Sequence, residues 1–319
     1  MTIDINDIAS KHLGKAGDGT VVKPYITPDH IDPNLLVAVP RYLNREQYGI
    51  TNDNFTGFDV WNCYEVSALK NNGMPINAVV QLQYPSDSFN IVESKSLKLY
   101  LNSFNMEKLG KTCDDAAQRI SEVITKDFKE RLDIDLGISV HILNGSRYDH
   151  VVTPHKSKFN LINLDSHAEQ FGQDLEFTKM NEDPSLLKTI DYSGEYKEAL
   201  HSYSLRSNCR VTNQPDWGDI FIYYKTDGKA LDLFSVLEYI VSMRRENHFH
   251  EEICECVFKR LQTLFGDKLK SLAVVCLYTR RGGIDINPIR ITSDMDIDTV
   301  EFVTSCIGDL GNNFKTERQ

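Results

Sequence analysis

Apolar and polar positions keep a regular period in two stretches of this chain, residues 51–147 and 201–292, and lose it elsewhere. Ala78–Tyr84 and Ile220–Tyr224 alternate with a period of two, the pattern of strands with one buried face. Short helical runs follow at Ser96–Ser103 and Phe234–Arg244. Longer amphipathic helices come next. Ala116, Ile120, Val123, Ile124 and Phe128 share one face in the first, and Ile253, Val257, Leu261 and Leu264 do so in the second. Gly137–Ile142 and Leu272–Tyr278 read as closing strands. Each stretch also carries an Asn-Cys pair, Asn62-Cys63 and Asn208-Cys209. Strand, strand, helix, helix, strand, strand thus occurs twice. The pattern predicts an α+β fold of antiparallel sheet with helices packed on one face. Residues 1–50 read as an irregular lead-in, 148–200 as a polar connector and 293–319 as an acidic, polar tail.

Composition narrows the class. The 319 residues carry a net charge of −11, which argues against a direct nucleic-acid partner, since such surfaces are usually basic. Seven cysteines, scattered and odd in number, do not form a disulfide framework, and no CxxC pair suggests zinc. No apolar run approaches the ~20 residues of a membrane span. The opening Met1-Thr2-Ile3-Asp4 has no signal-peptide character, so a cytoplasmic protein with no membrane partner is expected.

Four constellations carry possible chemistry. In Ser207-Asn208-Cys209-Arg210-Val211-Thr212-Asn213-Gln214-Pro215-Asp216-Trp217-Gly218, a thiol precedes a carboxylate by seven residues within a turn region. Cys209 reads as a nucleophile and Asp216 as a carboxyl group that desolvation keeps protonated, or else as a small buried hydrophobe and a turn residue. The first stretch has Cys63 but places Lys70 where Asp216 would align. Val92-Glu93-Ser94-Lys95-Ser96-Leu97-Lys98 opens a helix, where free N–H groups and lysines suit an anion, or is simply a solvated face. In Asn247-His248-Phe249-His250-Glu251, Phe249 can stack on a heterocycle that His250 and Glu251 hydrogen-bond, or Glu251 merely complements a helix dipole. The run His248, His250, Cys254, Cys256 is a weaker alternative as a metal site, because residues two apart on a helix do not share a face and Cys254 and Cys256 diverge. Tyr278-Thr279-Arg280-Arg281-Gly282-Gly283-Ile284-Asp285-Ile286-Asn287-Pro288 makes a glycine turn flanked by guanidinium groups, suited to a phosphate or to plain solvation. No G-x-G-x-x-G or G-x-x-x-x-G-K-[ST] is present, so a nicotinamide cofactor would not sit on a Rossmann unit.

Taken in order, these stretches resemble the long, two-copy form of the 7-cyano-7-deazaguanine reductase family, the nitrile reductases of queuosine biosynthesis, as does the lead-in Val39-Pro40-Arg41-Tyr42-Leu43-Asn44-Arg45. The resemblance covers nearly the whole chain. It implies tandem tunnelling-fold repeats, a homodimer, NADPH as cofactor and a 7-deazaguanine nitrile as small-molecule substrate. Cys209 and Asp216 would be catalytic. Val92, Glu93, Ser94, Phe249, His250 and Glu251 would bind the substrate, and Ser94, Lys95, Arg281 and Gly282 the cofactor, with no metal. Covalent capture of the nitrile on Cys209 as a thioimide would precede reduction to the aminomethyl product. Three rival readings are a zinc-dependent purine cyclohydrolase on the same fold, an amidine-forming enzyme acting on tRNA, and a purine-binding module without catalysis. Arg210 departs from the family pattern, where an apolar residue is usual, and is expected to favour the thiolate. The stretch Tyr148–Tyr192 and the tail are longer than usual.

Overall fold

In the computed structural model, residues 28–143, 159–172, 175–210 and 214–307 are described. A short strand β1 (Ala38–Pro40) and one-turn helix α1 (Tyr42–Arg45) lead into β2 (Thr56–Leu69), β3 (Pro75–Pro85), β4 (Asn90–Val92), α2 (Ser94–Asn102), α3 (Cys113–Leu132) and β5 (Gly137–Ile142). Then follow β6 (Leu161–Asn163), α4 (Leu164–Phe171), β7 (Thr189–Asn208), β8 (Pro215–Leu231), α5 (Leu233–Ser242), α6 (His250–Phe265), β9 (Leu269–Tyr278), β10 (Ile284–Ile291) and α7 (Ile297–Ile307). Among the described residues no helix is long and apolar enough to cross a membrane.

One eight-stranded sheet, ordered β5-β3-β2-β10-β9-β8-β7-β6, runs through both halves. Its pairings are antiparallel except β6 with β7. The halves meet where β10 lies against β2, from Ile284 opposite Cys63 to Ile291 opposite Thr56. α2 and α3 cover Trp61, Cys63, Val80 and Leu82 on one face. α5 and α6 cover Leu205, Ile220, Ile222 and Val274 on the same face. Each fully buried Leu, Ile or Phe of these layers contributes about 1.5–3 kcal/mol.

Local signals set the helix ends. Thr112 caps α3 through a reciprocal box with Asp115, and Asp232 caps α5 by accepting from the Ser235 N–H. A buried ion cluster locks the lead-in to the sheet. Arg290 donates to Asp59 at 2.8 Å and to Glu255 at 2.8 Å. Arg41 joins Asp59, and Arg45 joins Glu255 at 2.6 Å.

Four features differ from the sequence expectation. The stretch 293–319 was expected to be a polar tail, yet α7 buries Phe302, Val303 and Cys306 against Val60, Tyr223 and Val275 on the sheet face opposite the other helices. Its apolar residues are too few and too near acidic neighbours to stand out as a stripe. Second, β7 begins at Thr189, inside the stretch read as connector. Its residues 190–195 are exposed on both sides, so no burial alternation marks them. Third, the lead-in is not merely irregular, since Arg41 and Arg45 are buried in the ion cluster. Fourth, the two Asn-Cys pairs do not occupy corresponding places: Cys63 is buried in mid-strand, whereas Cys209 lies just past the end of β7. Lys70 accordingly sits beyond the end of β2, while Asp216 is part of β8.

Candidate active site

The β7–β8 hairpin positions the thiol and the carboxylate together. Ser207 pairs with Asp216 across the two strands, and the Cys209 N–H closes the loop onto the Gln214 carbonyl at 2.8 Å. Residues 211–213 of the quoted turn lie outside the described residues. The segment before α6 lies alongside: the Asn208 N–H donates to the Glu246 carbonyl at 2.8 Å and the His248 N–H to the Asn208 carbonyl at 3.1 Å. These bonds bring Phe249, His250 and Glu251, at the start of α6, to the same place as Cys209.

From the other half, β4 ends at Val92 and Glu93 caps α2, its Oε2 accepting from the Ser96 N–H at 2.7 Å. Ser94, Lys95 and Lys98 follow on the first turns. The Arg281–Ile284 turn completes the wall. Arg281 and Ile284 exchange backbone hydrogen bonds of 2.9 and 3.3 Å around Gly282 and Gly283, both with positive φ. Gly283 has a φ of 80°, in the left-handed region that favours glycine over any residue with a Cβ.

These pieces line one cavity of about 240 Å³. It is lined by Cys209, Asp216, Phe249, His250 and Glu251 from one half and by Val92, Glu93, Ser94 and Lys95 from the other. Arg281 and Gly282 stand at the same cavity, so the structure brings every candidate residue together. Sequence reasoning missed Trp61, Gln214 and Ile286 as lining residues. Trp61 sits beside the Asn62-Cys63 pair, but nothing local distinguishes a cavity-lining tryptophan from a core one.

The chemistry of the walls is uneven. Asp216 is buried, with Oδ1 held by Arg281 at 2.5 Å and Oδ2 3.4 Å from His250 Nε2. The carboxyl group therefore has charged and polar neighbours, not the purely desolvating surroundings expected from sequence. His250 stacks flat on Tyr278, with ring centroids 3.8 Å apart. Burial, reinforced by the charge of Asp59, pushes the Glu251 carboxyl up to about 8. Arg210 does not stand alone beside the thiol. Its Nη1 lies 3.1 Å from Glu252, which also accepts from His248 Nδ1 at 2.8 Å, so Arg210 ties the Cys209 loop to α6.

Four buried polar atoms of the lining have no hydrogen-bond partner among the described residues: Trp61 Nε1, His250 Nδ1, Glu251 Oε1 and Thr279 Oγ1. Buried polar groups are nearly always paired, and leaving one unpaired costs about 1–3 kcal/mol. Their convergence on one cavity marks a site built for a polar ligand. Donors and acceptors are both present, as a heterocycle with an amide-like edge requires. The cations Lys95, Lys98 and Arg281 beside a bare glycine turn suit a phosphate-bearing cofactor.

Known proteins resemble this chain over most of its length. The family described as "Nitrile reductase, 7-cyano-7-deazaguanine-reductase N-term" matches residues 27–140, and the family described as "QueF-like protein" matches 215–296. A protein of Dechloromonas aromatica (strain RCB) named NADPH-dependent 7-cyano-7-deazaguanine reductase is 37% identical over 298 residues, covering 92% of this chain and 96% of its own length. A protein of the same name from Colwellia psychrerythraea (strain 34H) is 39% identical over 262 residues, covering 81% and 85%. The crystal structure of an apo archaeosine synthase QueF-Like aligns with 33% of this chain and 99% of its own at 12% identity and a TM-score of 0.28, too low to bear on the fold.

Proposed function

Because the chain belongs to the NADPH-dependent 7-cyano-7-deazaguanine reductase family, we propose that it reduces the nitrile of 7-cyano-7-deazaguanine to the aminomethyl group of 7-aminomethyl-7-deazaguanine, a step of queuosine biosynthesis. The observation that carries this reading is the single cavity in which a thiol, a carboxylate and unpaired buried polar atoms from both halves converge.

The mechanism follows from the lining. The bound base presents N–H donors to Glu251 and Glu93, and its ring lies against Phe249. Proton-bearing Glu251 gives up its proton to accept those donors. The Cys209 sulfur attacks the nitrile carbon, forming a C–S bond, while the Asp216–His250 pair delivers a proton to the nitrogen. The product is a thioimide, whose C=N bond accepts hydride more readily than a nitrile does. Ser94, Lys95, Arg281 and Gly282 would hold NADPH, which when bound would supply one hydride for each two-electron step. After the first step the C–S bond breaks, the electron pair returns to sulfur and an imine forms. The cavity walls, with the cofactor across the opening, would shield that imine from water until the second step gives the amine. Four electrons are transferred in all.

The test is an intact mass of the protein mixed with 7-cyano-7-deazaguanine and no cofactor. An adduct of substrate mass that is lost in Cys209→Ala, together with oxidation of two NADPH per nitrile, is the expected result. An adduct that survives in Cys209→Ala overturns the assignment of the nucleophile.

We also infer that residues 51–147 and 201–292 are the cores of two tunnelling-fold units, the second extended by β7 back into the stretch 148–200 and covered by α7 from 293–319. Each contributes adjacent strands to the shared sheet. The chain then works in the cytoplasm as a homodimer without a direct nucleic-acid partner. Among the described residues the outer strands β5 and β6 leave sheet edges on which a second copy can pair. Light scattering giving a monomer mass at working concentration would count against the dimer.

A further inference from the structure

A cavity of about 240 Å³ lies below the ~300–1,000 Å³ usual for small-molecule sites. It has room for the reacting rings and not for a whole dinucleotide. On the reductase reading, the adenosine 2′-phosphate end of NADPH must therefore bind outside it.

One residue along from Asp216, a different kind of surface begins. Trp217 is 38% exposed, and its ring is flanked by Arg206 at 5.6 Å and Arg244 at 5.5 Å. Arg206 sits opposite Trp217 across the β7–β8 pair, and its Nη1 donates to the Arg244 carbonyl. Trp217 is joined to the cavity wall through its carbonyl, which accepts from the N–H of the cavity-lining Thr279 at 2.8 Å. Both arginines are half-buried, and among the described residues neither has a carboxylate within ion-pair distance. Burial and the charge of Arg206 pull the Arg244 guanidinium below its usual range. Two half-buried like charges with no counter-ion are costly, and an anion between them removes that cost. The Trp217 ring lies under both guanidinium groups and so helps to orient them.

We propose that Arg206, Trp217 and Arg244 bind the adenosine 2′-phosphate of NADPH and so set the preference for NADPH over NADH. This rests on the reductase reading. One other arginine–aromatic contact lies near the Arg281 turn, Arg280 over Tyr64 at 4.6 Å. It has a single guanidinium, and the Tyr64 hydroxyl is already engaged by Asp285 at 2.8 Å, so it suits a dianion less well.

Calorimetry on the full chain with adenosine 2′,5′-bisphosphate and with adenosine 5′-monophosphate tests the site without turnover. Wild type is expected to bind the bisphosphate at least tenfold more tightly. Arg244→Gln and Arg206→Gln should bring the two within about threefold of each other, and Arg244→Lys should restore most of the difference. The NADPH-to-NADH ratio of kcat/KM should fall at least tenfold in both glutamine variants. Equal affinities in wild type, or a discrimination lost in Arg280→Ala and kept in Arg244→Gln, overturns the proposal while leaving the reductase reading intact. A glutamine variant that changes only the mass in solution makes this surface a subunit contact and overturns it too. A wild-type protein that oxidises no NADPH in the presence of nitrile ends the reductase reading itself, and this proposal with it.

Discussion

Arg281 donates from Nη1 to Oδ1 of Asp216 at 2.5 Å, joining a candidate phosphate ligand to the candidate proton donor. On the proposed reading, one side chain would serve two functions. A cofactor phosphate that takes up Arg281 loosens its hold on Asp216.

Substitution should expose this double role. Arg281→Gln removes a charge-assisted bond of about 1.5–3 kcal/mol. The KM for NADPH should rise about tenfold or more, and kcat should fall as well because Asp216 loses its orienting partner. Steady-state rates with NADPH varied against saturating nitrile read both. A change in KM alone would show that the contact with Asp216 has no part in the chemistry.

Asp216→Asn should keep the shape of the hairpin and remove the acid. Nitrile capture by Cys209 should slow about 10²–10⁴-fold, the usual contribution of a positioned proton donor. Rapid mixing followed by quench and mass measurement gives the capture rate. Capture at the wild-type rate would transfer the role to His250.

Glu251 should leave a signature in stability against pH. Its carboxyl group is pushed up from 4.5 to about 8, by burial first and the charge of Asp59 second. Between those values the folded protein holds a proton that the unfolded chain has lost, so this group lowers stability as pH rises through that window. Glu251→Gln should therefore gain more over wild type at pH 8.5 than at pH 5 in urea titrations. Parallel stability curves for the two proteins would remove this assignment. Substrate binding near pH 7 should also release a proton, visible as a buffer-dependent heat.

The buried cluster should be sensitive to loss of its centre. Arg290 is fully buried between Asp59 and Glu255, and Arg290→Met leaves both carboxylates short of a partner. The expected loss is about 3–5 kcal/mol, read from the shift in urea midpoint. A loss under 1 kcal/mol would mean that Arg41 and Arg45 neutralise the two acids by themselves.

Periodicity located most of the elements, because a strand or helix with one buried face must repeat at 2 or 3.6 residues. Gly137–Ile142 forms β5 over the expected span, and Phe234–Arg244 covers nearly all of α5 and the turn after it. The pattern failed where burial was not one-sided. The first part of β7 is exposed all round, and α7 buries only four residues. Matching the two halves on Asn-Cys also failed, since two residues carry no information about register.

By itself, the sequence supplied the candidate residues that line the cavity. A thiol, a carboxylate, lysines, histidines and a two-glycine turn are read from residue type and spacing, and the Gly282-Gly283 turn is a local matter of backbone freedom. Tertiary structure alone decided that these stretches share a wall, because β10 had to lie against β2 for residues some 120 positions apart to meet. It also decided that Arg281 holds Asp216 and that Arg210 pairs with Glu252. Ion pairs depend on distances of a few ångströms through space, and those are set by how the halves pack.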